Sequence, residues 1–470
     1  MDFVSIDFLL YFLPAFLLVY LLMPGRMKNA VLFVGSCVFY VQGEPFYAWL
    51  LPVSILINYV FSRRLRKSLN GREEKGKGAE KGKGEEKDKG TEEGKAWDGG
   101  RRLLCFVVLV NLCVLGCFKF WGYGIPLGLS FYTFQVISYF VDLYRGEIPQ
   151  EDSIWRFALY LGMFPKVGAG PITRYKDVGE ELKERSITSE KMQEGLGKLI
   201  LGLVFKTQLA DRLGALWNDL AVAGYESITW KYAWLGAVAF SLKLYFDFQG
   251  YSLMAIGLGQ MLGFHLPENF RTPYLARSVR DFYRRWHATL GLWFRKYVYF
   301  PLGGSKKGEG RTILNLLAVW LLTGIWHGNT VNFLLWGIFL WCCIVLERLL
   351  EKIPFVKKMK VLPHLYLWFV IPISWMFFAI TDVTQLQLFL CRMFGIGEAI
   401  NENIMDWWVQ LRRYGWILAL GIFGASGLPE YACRKWKNNP IFNLVLAALF
   451  WLCVWSIMRQ GSNPFQYLTF

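Results

Sequence analysis

Long apolar runs, separated by short polar stretches, organise this chain from end to end. The first run, 8–23, reads FLLYFLPAFLLVYLLM. A helix needs about 20 mainly apolar residues to cross a bilayer core, and shorter runs can be re-entrant or interfacial. The pattern predicts an all-α, polytopic membrane protein with roughly ten to twelve transmembrane or re-entrant helices. The other runs are 31–40, 48–61, 103–118, 126–143, 196–209, 233–246, 313–326, 333–346, 365–380, 416–423 and 441–457.

Composition and charge agree with a membrane protein. Hydrophobic residues make up 54% of the chain and charged residues 19%, which leaves no soluble domain of ordinary size. In a membrane protein, a net charge of +16 is explained by Lys and Arg residues in cytoplasmic loops that face anionic headgroups. It does not require nucleic acid as a partner. The first apolar run has no basic region before it and no cleavage site after it, so it is not a typical signal peptide. Arg26 and Lys28 follow it directly and predict an outside N-terminus.

Two polar segments interrupt the apolar pattern. The segment 72–100 mixes Gly, Lys and Glu and has almost no apolar residue, so we expect a disordered loop. The basic residues on both sides of it predict that this loop is cytoplasmic. The second segment, 264–311, alternates arginines with aromatic residues. Within it, 278–299 has the spacing of one amphipathic helix, which would lie at the membrane interface as an anchor or line a polar cavity.

The four histidines are the best candidates for chemistry. His327 ends the apolar run 313–326, and an ionisable group at membrane depth is by default a functional hypothesis, to be weighed against a hydrogen-bonded structural histidine. The same argument applies more weakly to His287, while His265 and His364 have simpler explanations as bend and interface residues. Histidine can take a proton from a hydroxyl and return it to a leaving group near neutral pH.

Other chemistries lack a sequence motif. The nine cysteines form no CxxC pair and no cluster with zinc spacing, so we predict no structural disulfide and no protein-bound metal. No Walker loop and no GxGxxG motif is present, and no GxSxG nucleophile motif follows a strand.

Five long motifs make the chain resemble the membrane-bound O-acyltransferase family. In the family's order, they are PLGLSFYTFQVISYFVDLYRG, MFPKVGAGPITRY, YFDFQGYSLMAIGLGQMLGFHLPENF, DFYRRWHATLGLWFRKYVYFPLGG and LLTGIWHGNTVNFLLWG. They cover about residues 126–337. The chain is most similar to the bacterial branch that contains the alginate O-acetyltransferase membrane subunit. The D-alanyl transferase of teichoic-acid modification is a more distant relative.

This resemblance implies a fold and a set of site residues. The fold would be a ring of tilted helices around a central funnel, built as a single membrane domain over 1–470. The histidine of the W-H-G motif, His327, would be the essential catalytic residue deep in the tunnel. His287 would be the family's second histidine, which acts with it and supports the tunnel or the donor. The motif positions implied on the donor and tunnel side are Asn269, Arg284, Arg285, Trp286 and Trp326.

The resemblance also implies a reaction. We expect an O-acetyltransferase of the bacterial cytoplasmic membrane that uses acetyl-CoA or another acyl thioester as donor, with no tightly bound cofactor. The acceptor would be a hydroxyl of an extracytoplasmic cell-envelope polysaccharide, reached through an extracytoplasmic SGNH-type partner. The alternatives are a lipid- or protein-acylating enzyme of the same family, a D-alanyl transferase that modifies teichoic acid, and a transporter that has the fold without the chemistry.

Overall fold

A computed structural model describes residues 1–81, 89–121, 124–355, 359, 361–397, 403–461 and 463–465. In these ranges every regular element is a helix, which confirms the all-α prediction. The chain forms two compact units. Unit 1 comprises Met1–Asp2, Asp7–Ser186 and Gly263–Leu266, and unit 2 comprises Phe3–Ile6, Ile187–Leu262 and Pro267–Phe470. The single domain expected over 1–470 stays a prediction.

Unit 1 contains eight α-helices among its described residues. They are α1 (Leu13–Leu22, which continues the π-helix Asp7–Phe12), α2 (Lys28–Gly43), α3 (Leu50–Lys81), α4 (Lys89–Phe120), α5 (Leu129–Tyr144), α6 (Ile154–Gly162), α7 (Phe164–Val167) and α8 (Tyr175–Lys183). The motif lysine Lys166 is fully buried, and its ammonium donates to the Gln135 side chain at 2.8 Å and to the Tyr160 carbonyl. Hydrogen bonds to the ammonium offset the cost of burying its charge.

The low-complexity segment 72–100 is partly helical. Helix α3 enters it from one side and ends at Lys81, and α4 begins at Lys89 on the other side. Lys and Glu have good helix propensity and can extend a helix that apolar turns have already nucleated. The middle of the segment, 82–88, lies outside the described residues, so its predicted disorder stays a prediction.

Unit 2 contains the remaining helices of the described chain. They are α9 (Ser189–Val204), α10 (Asp211–Ala223), α11 (Trp230–Met261), α12 (Val279–Arg285), α13 (Ala288–Phe294), α14 (Glu309–His327), α15 (Val331–Leu350), α16 (Leu362–Ala379), α17 (Val383–Met393), α18 (Asp406–Gly424), α19 (Leu428–Lys435) and α20 (Pro440–Gln460). The π-helix Phe205–Ala210 joins α9 to α10.

A buried ion pair joins this π-helix to α11. The Lys206 ammonium lies 2.8 Å from an Asp247 carboxylate oxygen and 2.9 Å from an Asp211 carboxylate oxygen. Lys206 and Asp247 are both buried. Because charges inside a membrane protein are tolerated when they pair with one another, this arrangement explains how three ionisable groups can lie within or directly beside apolar runs.

The number of long apolar helices is smaller than the number of apolar runs. Four helical stretches in the described chain are long and apolar enough to cross a membrane: Gly99–Phe120, Val331–Leu350, Leu362–Ala379 and Pro440–Arg459. A fifth is possible if α18 and α19, which meet at 59°, count as one span. The other runs form shorter helices or, as in α11, include charged residues. The ten to twelve apolar runs therefore correspond to a mixture of long apolar helices, shorter helices and helices with charged residues, and not to ten to twelve equal spans.

The predicted amphipathic helix 278–299 is wrong as a single helix. It breaks into α12, a bend at Trp286 and His287, α13, and the π-helix Arg295–Tyr299. His287 has a φ of +44°, in the left-handed region. An L-residue pays strain energy there unless its surroundings hold it. A contact distant in sequence holds it here, and that contact belongs to the candidate site.

Candidate active site

His327 is the last residue of α14, and the first turns of α15 return against it. The backbones of the two helices touch at two glycines. A Cβ atom at Gly324 would lie 2.5 Å from the Phe333 carbonyl oxygen, and one at Gly337 would lie 2.6 Å from the Trp320 carbonyl oxygen. A larger residue at either position would push the helices apart. This close approach brings the imidazole of His327 against the first turns of α15.

Aromatic rings surround His327. Its ring centroid lies 4.5 Å from that of Trp326, 4.8 Å from Phe378 and 5.2 Å from Trp336. The Phe333 ring stacks at 6.4 Å, and only 6% of His327 is exposed. These rings keep bulk water away from the imidazole, and electrostatic interactions are stronger in such a dry, low-dielectric setting.

A cavity of about 600 Å³ in unit 2 reaches His327. Trp336 and Phe378 line it beside the histidine, and Arg284 and Arg348 line it elsewhere. Trp336 and Arg348 both belong to α15, twelve positions apart. This spacing corresponds to about 18 Å along a helix that rises about 1.5 Å per residue. The cavity thus joins an aromatic end at His327 to a cationic end at Arg348.

His287 also lines this cavity, and its ring is held by Asn269, which does not line the cavity. The Asn269 side-chain oxygen lies 2.9 Å from His287 Nδ1 and accepts hydrogen bonds from the Thr289 hydroxyl (2.9 Å) and backbone N–H (3.4 Å). Its carbonyl accepts from the Ala288 N–H at 2.9 Å, and its amide donates to the Ser252 hydroxyl at 3.2 Å. These contacts hold His287 in its left-handed backbone conformation.

The same contacts define the protonation of His287. A backbone N–H can only donate, so the Asn269 atom that faces Thr289 is the oxygen, and His287 Nδ1 must therefore carry the proton that it donates. His287 lies outside the candidate membrane spans, and burial lowers its pKa to about 3. The imidazole is therefore neutral at physiological pH, as the Nδ1–H tautomer.

The arginines of α12 separate into different roles. Arg284 lines the cavity, whereas Arg285 pairs with Asp281 at 3.1 Å and does not line it. Arg280 lines the cavity, but its guanidinium already pairs with Glu351. Across the described residues, neither Arg284 nor Arg348 lies within ion-pair distance of a carboxylate. These two guanidinium groups are available to an anionic ligand, and so is that of Arg295, which also lines the cavity and packs over the Phe300 ring.

The structure brings some of the predicted site residues to the cavity and leaves others behind it. His327, His287, Arg284 and Trp286 line the cavity. The remaining predicted residues do not line it: Asn269 contacts His287, Trp326 contacts His327, and Arg285 pairs with Asp281. His265 belongs to unit 1, where its ring contacts Glu181.

Arg348 and Trp336 are among the cavity residues that sequence reasoning missed. Arg348 follows the apolar run 333–346 and resembles an ordinary cytoplasmic flank. Trp336 lies inside the motif LLTGIWHGNTVNFLLWG, but nothing in an apolar helix distinguishes one tryptophan from the next. Twelve positions are about three and a third turns of α15, so the two side chains lie on different faces of the helix and their spacing gave no signal.

Comparison with known proteins identifies the class of enzyme. The family model of the membrane-bound O-acyltransferases matches residues 146–380. The chain belongs to this family, and it is a membrane acyltransferase.

Individual relatives come from several bacteria. The chain is 33% identical over 463 residues to a protein of Azotobacter vinelandii named "Probable alginate O-acetylase AlgI", covering 94% of this chain and 87% of the relative. It is 27% identical over 444 residues to the peptidoglycan O-acetyltransferase of Helicobacter pylori, covering 83% and 79%. It is 27% identical over 252 residues to the teichoic acid D-alanyltransferase of Bacillus subtilis, covering 50% and 62%.

Proposed function

We propose that this enzyme is an O-acetyltransferase of the bacterial cytoplasmic membrane, which moves an acetyl group from a cytoplasmic thioester, acetyl-CoA, toward a hydroxyl of an extracytoplasmic cell-envelope polysaccharide. The single observation that carries the proposal is one cavity lined by a buried histidine and by arginines that have no carboxylate partner, with Arg348 at the end away from the histidine. A thioester with an anionic head and a long uncharged arm matches this distribution of charge. The alginate and peptidoglycan acetylases among the relatives support a glycan acceptor.

His327 is the general base in this proposal. The acceptor hydroxyl gives its proton to the imidazole while its oxygen attacks the thioester carbonyl carbon. The carbonyl electrons move onto the oxygen and form a tetrahedral intermediate. When the carbonyl re-forms, the carbon–sulfur bond breaks and the imidazolium returns the proton to the leaving thiolate. The products are an ester and a free thiol, and the enzyme is unchanged.

The acceptor at this step need not be the glycan itself. An extracytoplasmic SGNH-type partner would take the acyl group and complete the transfer to the polysaccharide. The D-alanyltransferase relative raises a second acyl group, D-alanine, but it matches over a shorter part of the chain than the acetylases do. Free-thiol release from acetyl-CoA, measured with purified protein and an acceptor, tests the proposal. A transporter with this fold would release none.

The donor arginines give a kinetic prediction. We expect Arg284→Ala and Arg348→Ala each to raise the KM for acetyl-CoA about tenfold with little change in kcat, because each removes a charge-assisted phosphate contact contributing about 1.5–3 kcal/mol. A contact made equally in the ground state and the transition state affects KM alone. The assay is thiol release at a series of acetyl-CoA concentrations.

A lysine on the same stretch of chain provides the control. Lys352 follows α15, pairs with Glu309 at 2.9 Å and does not line the cavity. Lys352→Ala should leave the KM unchanged. If both arginine variants fold and have the wild-type KM, the arginines contact lipid phosphates instead and the donor site lies elsewhere. Losses confined to protein yield would also favour the lipid contact.

A further inference from the structure

One buried hydrogen-bond donor beside His327 has no acceptor. Trp336 is 1% exposed and lines the cavity, and no described residue accepts a hydrogen bond from its indole N–H. Other indoles of unit 2 do find carbonyl oxygens: Trp341 donates to Ile313 at 3.0 Å and Trp234 to Met393 at 2.9 Å. The indole N–H of Trp375, which also lines the cavity, has no acceptor among the described residues either, but of the two it is Trp336 whose ring packs against His327. Buried polar groups are nearly always hydrogen-bonded, so an exception in a cavity indicates a ligand group that completes it.

The surroundings of Trp336 fix its ring in place. Its centroid is 5.2 Å from that of His327 at an interplanar angle of 85°, and it packs edge-on against Phe378 at 4.8 Å and Trp320 at 5.6 Å. The adjacent Gly337 holds α15 against the α14 backbone. Because neighbouring rings pack against the indole on several sides, it keeps its orientation without help from a ligand. A donor of this kind needs no reorganisation when charge develops near it.

We propose that the indole N–H of Trp336 stabilises the oxyanion that forms on the thioester carbonyl, which makes Trp336 a catalytic residue. This inference rests on the thioester transfer proposed above. When the hydroxyl oxygen bonds to the carbonyl carbon, the carbonyl π electrons move to its oxygen, and the indole N–H donates a hydrogen bond to that oxygen. The electrons return as the carbon–sulfur bond breaks. Trp336 neither gains nor loses a proton, and His327 alone carries the proton from hydroxyl to thiolate.

The arrangement meets the requirements of an oxyanion site. The donor must lie near the general base, because both act on the same carbonyl group. It must also lie in a dry environment, where a single hydrogen bond to a developing charge is worth far more than in water. The aromatic rings around His327 provide that environment. An uncharged donor serves here because it avoids the desolvation cost of a buried cation.

The direct test is Trp336→Phe, which removes the N–H and retains an aromatic ring. We expect kcat for acetyl-CoA to fall about 10²- to 10³-fold, the usual effect of removing one oxyanion donor, with KM changed less than about threefold. Trp336→His, which keeps a ring N–H, should recover part of the lost kcat. The matched control is Trp341→Phe, which removes an indole N–H from the same helix outside the cavity and should leave kcat unchanged. A Trp336→Phe enzyme that folds and retains wild-type kcat would overturn the proposal.

A change in the substrate separates hydrogen bonding from packing. The dithioester analogue of acetyl-CoA replaces the carbonyl oxygen by sulfur, a weak hydrogen-bond acceptor. The Trp341→Phe control should turn over the dithioester more slowly than acetyl-CoA. In Trp336→Phe the difference in turnover between the two substrates should be much smaller. Equal preference in both variants would mean that Trp336 acts only by packing. If wild-type protein turns over neither substrate, the thioester reaction itself fails, which is a different outcome.

A spectroscopic measurement keeps the proposal testable if Trp336 variants do not fold. The infrared band of a ¹³C-labelled thioester carbonyl should move to lower frequency when acetyl-CoA binds wild-type protein without acceptor, because a hydrogen bond weakens the carbonyl bond. An unshifted band in the bound complex would contradict the role of Trp336.

Discussion

His327→Ala should abolish acyl transfer while the protein still inserts and folds. The variant removes the group that takes the proton from the attacking hydroxyl, and general acid–base catalysis contributes about 10²- to 10⁴-fold to such steps. We therefore expect thiol release from acetyl-CoA to fall by at least about 10²-fold. Binding of acetyl-CoA should survive, because the arginines that line the cavity are untouched.

A second histidine serves as the control for this variant. His364 lies near the start of α16, packs near Trp368 and does not line the cavity. His364→Ala should have wild-type activity. Size-exclusion elution and thermal unfolding would verify that His327→Ala is folded. Retention of more than a small fraction of wild-type turnover by folded His327→Ala would remove His327 from the mechanism.

Asn269→Leu should damage both stability and activity, although Asn269 does not line the cavity. The substitution leaves the His287 Nδ1–H and the Thr289 hydroxyl without their acceptor. A buried group left unsatisfied costs about 1–3 kcal/mol, so we expect several kcal/mol of lost stability. It also frees the His287 ring and its strained backbone. We expect kcat to fall by up to about 10²-fold, because a misplacement of about 1 Å caused away from the chemistry can cost that much.

Asn269→Asp separates orientation from general damage. A carboxylate can accept the same hydrogen bonds, but its charge is costly to bury, so this variant should recover more of the lost kcat than of the lost stability. Ser252→Ala, which removes only the partner of the Asn269 amide, should have a smaller effect than Asn269→Leu on both. Thermal unfolding and kcat for acetyl-CoA would be measured in parallel on all three. Wild-type stability and kcat in Asn269→Leu would contradict the role given to this contact.

The histidines and motif arginines could be found from sequence because their signals are local. An ionisable residue at the end of an apolar run, as His327 is, stands out without any structure. The five long motifs, one of which contains it, then indicated the family, which the comparisons confirm. What each residue contacts could not be found in this way. Arg284 and Arg285 are adjacent and equivalent in sequence, yet one lines the cavity and the other pairs with Asp281.

The break in the helix 278–299 shows why periodicity alone was insufficient. The apolar spacing continues through His287 as if the helix did, and local propensity contains no stop signal there. The break depends on Asn269, eighteen residues earlier, whose side chain and backbone both bond to the region. Tertiary contacts of this kind override local preference. Trp336 was missed for a related reason, since only the packing of α14 and α15 distinguishes it from its neighbours.

The span count differed because hydropathy measures composition and not environment. The run 233–246 is apolar and was counted as a span, but in the structure it is part of α11, a 32-residue helix that also contains Asp247. Asp247 is tolerated because Lys206 pairs with it from another part of the chain. Hydropathy averaged over a short window cannot detect a pairing between residues that are 41 positions apart.

The most direct test of the central claim is a structure with a thioester analogue that cannot transfer its acyl group, acetonyl-CoA, in which a methylene separates sulfur from the carbonyl. The account predicts its carbonyl at the His327 end of the cavity, where a hydroxyl held by the imidazole can approach the carbonyl carbon to about 3–3.5 Å. Its phosphates should lie at Arg284 and Arg348. A bound analogue whose carbonyl lies away from His327, with the cavity empty, would contradict the account.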